Sequence, residues 1–123
     1  APAGGRAPTD AARESQQVRR GVSVGWLKRF VADYQCADWR VSKVVSHVVK
    51  NQTRLTRCRF TELPEMAEPG VVGKADVFVS HCWSAPFGDL VAAVAHVLPD
   101  HAFVWVDIFA VRQWPGNAAD CSF

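Results

Sequence analysis

Two short stretches hold most of the side chains that could do chemistry. Ser80-His81-Cys82-Trp83 sets a hydroxyl, an imidazole, a thiol and an indole in a row, and Asp107 is followed closely by Phe109, Arg112, Gln113 and Trp114. Three kinds of site could be built from them. Cys82 could act as a nucleophile, with a histidine as base and Asp107 as its orienter. Strand alternation would turn His81 away from Cys82, and no glycine cluster or G-x-S-x-G motif supplies an oxyanion hole beside it. His81, Cys82 and Asp107 are possible metal ligands by type, but three scattered candidates do not make a ligand spacing. In a nucleotide pocket, Trp83, Phe109 and Trp114 could stack on a ring. Ser80, Asp107 and Arg112 could then address ribose and phosphate, with His81 in the wall. Neither G-x-G-x-x-G nor a P-loop accompanies these residues. Purely structural roles compete with all three: Ser80 and Asp107 as caps, His81 bonded to a backbone carbonyl, the tryptophans as core.

The elements around these stretches define where they sit. Val77-Phe78-Val79 within Asp76–Ser80 is apolar without alternation, the pattern of a strand covered on both faces. Phe103-Val104-Trp105-Val106, ending in Asp107, repeats it. Between them Phe87, Leu90, Val91, Val94, Val97 and Leu98 trace an apolar helical stripe. Ser84 is expected to cap that helix and Pro86 to lie in its first turn. Strand, helix, strand with apolar strands predicts a parallel βαβ unit. Ligands of open parallel sheets bind beyond the carboxyl ends of the strands, where both polar stretches fall. Adjacent strands would bring His81 or Cys82 within reach of Asp107. Two strands cannot form a stable covered sheet, so further strands are expected after residue 123.

Upstream, residues 1–20 are rich in Ala, Gly, Pro and Arg without periodicity and read as a disordered arm or linker. Residues 21–63 read as a helical extension. Ser23 is an N-cap for a helix carrying Val24, Leu27, Phe30, Val31 and Tyr34, and Val41, Val44, Val45, Val48 and Val49 mark a second helix. Residues 64–75, with two prolines and two glycines, read as a loop. Residues 76–123 then form the first part of an α/β domain that is truncated.

Charge is divided between the halves. Residues 1–59 carry twelve Arg/Lys against four Asp/Glu, and residues 60–123 carry two against eight. Such asymmetry can mark a basic arm for nucleic acid or an anionic membrane. The basic residues are spread over helical faces instead of forming a block, which favours two surfaces that attract each other and no nucleic-acid partner. Cys36, Cys58, Cys82 and Cys121 lie 22, 24 and 39 residues apart, fitting no zinc spacing. Free thiols in the cytoplasm are therefore expected. No apolar run approaches the roughly 20 residues of a membrane span.

Asp76-Val77-Phe78-Val79-Ser80-His81 resembles the first strand of Toll/interleukin-1 receptor (TIR) domains, whose pattern is D-V-F-[IV]-S-[YH]. The helix that follows and Val104-Trp105-Val106-Asp107 match in order and spacing. G-W-L-x-x-F-V at Gly25–Val31, V-G-K-A-D-V-F-V-S-H-C-W and V-W-V-D-I-F-A-V-R-Q-W look like a group of TIR-like proteins of algae and protists. The likeness covers about residues 21–123 and is strongest from 73 to 117. It implies a flavodoxin-like parallel sheet, here partial, behind an N-terminal helical extension. TIR domains include self-associating signalling adaptors and enzymes that hydrolyse NAD. The resemblance therefore implies a cytoplasmic signalling or assembly module acting through protein partners or self-association. It requires no cofactor, and it leaves a nucleotide or NAD as a possible ligand or substrate. In the enzymatic members a glutamate on a later helix does the essential work, near a loop into which Arg112–Asn117 would fall. Glu62, Glu65 and Glu68 precede the first strand and do not match it, and that glutamate is expected beyond residue 123.

Overall fold

A computed structural model describes residues 19–115. The arm expected at residues 1–20 therefore lies outside the described residues, save Arg19 and Arg20. Strand β1 (Gly21–Ser23) runs directly into helix α1 (Val24–Tyr34). Ser23 caps the helix as its type predicts, its hydroxyl accepting from the Trp26 N–H at 3.0 Å. Gln35 closes it in the left-handed conformation. The second helix, α2, runs from Val41 to Thr53: α-helical turns at Val41–Val44 and Lys50–Thr53 flank a π-helical stretch, Val45–Val49. Its valines are buried at the expected positions. Two 3-10 turns (Phe60–Glu62 and Pro64–Ala67) and strand β2 (Val72–Gly73) follow. The chain then forms β3 (Val77–Val79), α3 (Phe87–Val97), β4 (Phe103–Val106) and the short helix α4 (Asp107–Ala110).

The four strands form one mixed sheet in the order β2-β1-β4-β3. β3 and β4 are parallel, with Phe78 opposite Trp105, as the strand–helix–strand pattern predicts. β1 is antiparallel to both β4 and β2. The strands that complete the sheet within this chain thus come from upstream, out of stretches read as helical extension and as loop. Gly73 helps to make that possible: a Cβ there would come within 2.8 Å of the Phe103 ring.

Parallel register puts Val77, Val79, Val104 and Val106 on one face and Phe78 and Trp105 on the other. The first face meets the main core, which joins α1, α2, α3 and the 3-10 turns through Val22, Leu27, Phe30, Val44, Phe60 and Phe87. The second face is thinner, with Trp105 packed among Ala75, Ala110 and Val111. β4 is buried on both faces. β3 is not, contrary to expectation: it lies at the sheet edge, with Val77 and Phe78 40% and 48% exposed. Asp76 fixes the start of the pair. Its N–H donates to the Phe103 carbonyl at 2.8 Å and its carboxylate accepts from the Phe103 N–H at 3.0 Å.

The start of α3 also differs from expectation. Pro86 is the N-cap, and no side chain caps the helix. Ser84 instead lies with its hydroxyl 3.0 Å from the Cys82 thiol. The stripe of α3 buries Phe87, Val91 and Val94 but leaves Val97 exposed.

Candidate functional site

The carboxyl ends of β3 and β4 bring His81 and Asp107 together. Nε2 of His81 lies 3.1 Å from Oδ1 of Asp107. The distance is that of an ion pair, but neither atom makes a hydrogen bond of acceptable direction; the contact is a close approach and not an aligned bond. The His81 side chain is only 6% exposed, and neither ring nitrogen has a hydrogen-bond partner. Burying such a group without a partner is costly, so this imidazole is held by its surroundings instead of by bonds of its own.

The loop after β3 is positioned by the start of α2. The N–H groups of Val41 and Ser42, which have no partners inside the helix, donate to the carbonyls of Ala85 and Trp83, each at 3.0 Å. A cavity of about 250 Å³ opens between this loop, α2 and α3, lined by Val41, Val79, Ser80, His81, Cys82 and Asp89 among others. It is mainly apolar, with a few polar groups, as small-ligand sites usually are. The Cys82 thiol is exposed, and its pKa is lowered, first by the Ser84 hydroxyl. Buried Cys36 shows the opposite effect, its pKa raised by burial.

The other residues of the expected nucleotide pocket are dispersed. Phe109 is fully buried. It meets Trp26 edge-on at 5.0 Å between ring centroids and packs against Phe30, Phe60 and Phe87. It is a core residue and cannot stack on a ligand. Trp114 lies at the far end of α2, where its indole N–H donates to the Thr53 hydroxyl at 3.0 Å. Arg112 is half-buried in the segment after α4. Trp83 remains at the site, 44% exposed, with its ring 6.2 Å from that of His81. Among the described residues no group of three His, Cys, Asp or Glu side chains could hold a metal ion, and no helix is long and apolar enough to cross a membrane.

Sequence reasoning missed the cavity walls supplied by α2, because nothing local ties Val41 to His81. It also missed Thr53, a buried hydroxyl that donates to the Val49 carbonyl at 2.8 Å while accepting from Trp114. No family model, curated protein or solved structure matches the chain.

Proposed function

We propose that this chain is an assembly module of the TIR-like kind, acting in cytoplasmic signalling by joining a second copy of itself along the open edge of β3. The observation that supports this reading is the chemistry of that edge. Sheet edges are normally blunted by charge, proline or a bulge. Val77-Phe78-Val79 carries none of these, and β3 is hydrogen-bonded to β4 on one side only among the described strands. Val77, Phe78 and the nearby Trp83 are exposed and add apolar area along this strand, a combination suited to strand addition. In a flavodoxin-like arrangement the same edge would be shared with a further parallel strand. Sedimentation of the chain over a wide concentration range tests the proposal. Reversible dimerisation that is lost in Phe78→Asp supports it, and a monomer at every concentration overturns it.

A second reading rests on the His81–Asp107 pair. It stands beside an apolar cavity at the carboxyl ends of two parallel strands, the place where nucleotides bind in open α/β sheets. NAD recognition and cleavage there would use His81, Asp107, Ser80 and Trp83. Phe109 and Trp114 take no part. Calorimetric titration with NAD and an assay for released nicotinamide test it. Absence of both heat and product removes this reading and leaves the assembly proposal intact.

A further inference from the structure

Between Asp38 and Glu62 the sequence holds six Arg and Lys and no acidic residue. The fold collects most of them into one row. Arg40, Lys43, His47, Lys50 and Arg54 follow at intervals of three and four residues, the spacing of a single helix face. They back onto the buried valines of α2. All but half-buried Lys50 are exposed, and Arg57 continues the row in the turn beyond. At 1.5 Å per residue the row from Arg40 to Arg54 is about 20 Å long.

The basic and acidic halves of the chain meet through other residues than these. Lys28 pairs with Asp100 and Arg59 with Glu62; among the described residues no ion pair includes a member of the row. Two tryptophans lie beneath the cations instead. Lys43 Nζ sits 4.3 Å over the Trp39 ring, and Lys50 and Arg57 lie 5.2 and 5.0 Å from the centre of the Trp114 ring. The row begins at a shallow cleft lined by Trp39, Arg40, Ser42, Lys43 and Ser46, with one carboxylate, Asp38, at its rim. It ends in a turn that leaves Leu55 92% exposed between Arg54 and Arg57.

From these features we infer that the α2 face docks on an anionic lipid bilayer. This inference is independent of the β3 edge. A row of Lys and Arg side chains outside the ion pairs fits any polyanion, but two observations select the bilayer. The tryptophan rings already carry cations and are not open platforms for bases, as single-strand binding requires. Leu55 has no use against a phosphate backbone, yet it gains from the edge of the hydrocarbon layer. Lys and Arg near an anionic leaflet are drawn to its surface potential, and half-buried Trp suits the interface.

Vesicle co-sedimentation of the full chain tests the inference, with phosphatidylcholine vesicles compared with vesicles that also contain phosphatidylserine. Binding is expected only with phosphatidylserine, weakening as salt is raised. The double variant Lys43→Gln, Arg54→Gln should lower the partition coefficient about 25-fold, roughly fivefold for each cation. Leu55→Ser should weaken binding several-fold without changing its salt dependence. Lys28→Gln, remote from the row, should have little effect. Circular dichroism of each variant reports folding. No binding to anionic vesicles overturns the inference. So does unchanged binding by Leu55→Ser together with tighter, row-dependent binding to duplex DNA or RNA in an anisotropy titration, which would assign the face to nucleic acid.

Discussion

β3 and β4 are neighbours with nearly the same composition, Val-Phe-Val and Phe-Val-Trp-Val, but they live in different environments. β4 lies between β1 and β3 and is buried on both faces. Among the described strands β3 has a partner on one side, and Val77 and Phe78 are exposed. The residues that follow each strand diverge in the same way. After β4 the chain turns inward, and Ile108, Phe109 and Ala110 enter the core. After β3 it turns outward, leaving Cys82, Trp83 and Ser84 exposed. An apolar run therefore reports that a segment belongs in a sheet, but not where in the sheet it lies. The edge position turns ordinary strand residues into candidate contact residues.

The largest expected effect lies in the strands themselves. Val104→Asp places an unpaired carboxylate in the centre of the sheet and should cost more than about 4 kcal/mol, abolishing cooperative unfolding. Phe78→Asp on the edge should cost only about 1 kcal/mol, chiefly through its stack on Trp105 at 5.2 Å. Equal losses in chemical denaturation would show that the β3 edge is covered in solution. The next contrast lies just beyond the strands. Phe109→Ala should cost about 3–5 kcal/mol by opening a cavity in the aromatic core. Trp83→Ala should cost about 0.5 kcal/mol or less, as exposed side chains usually do. A small loss at Phe109 would return that ring to the pocket.

The smallest effect concerns thiol reactivity. A hydroxyl donating to a thiolate favours the charged form, so Cys82 should alkylate with iodoacetamide at lower pH than buried Cys36, whose pKa is raised. Ser84→Ala should move the Cys82 profile to higher pH, toward that of an ordinary thiol. Peptide mass spectrometry across a pH series separates the two sites. Comparable rates at Cys36 and Cys82 would contradict the difference in burial on which the comparison depends.

Much of the framework was legible because its signals are local. Ser23 as a cap, the valine period of α2, the stripe of α3 and the apolar run of β4 each declare themselves within a dozen residues. The parallel pairing of β3 with β4 followed from the strand–helix–strand order, and with it the approach of His81 to Asp107. β1 and β2 were not legible. Strands of three and two residues are too short to show a period of two, and their partners lie about fifty residues or more away in the chain. The π-helical stretch of α2 likewise left no mark in an apolar pattern that reads as an ordinary helix.

The sequence by itself determined helices α1, α2 and α3 and strands β3 and β4, that these two strands would run parallel, and that His81 and Asp107 would share one end of the sheet. Periodicity and chain order are local properties, and they suffice for that. Only the tertiary structure decided that Phe109 is core, that Trp114 belongs to the end of α2, and that β3 is an edge among the described strands. Each of these depends on which surfaces meet. That is settled by packing among segments far apart in the chain, where the gain from burying apolar area outweighs any local preference.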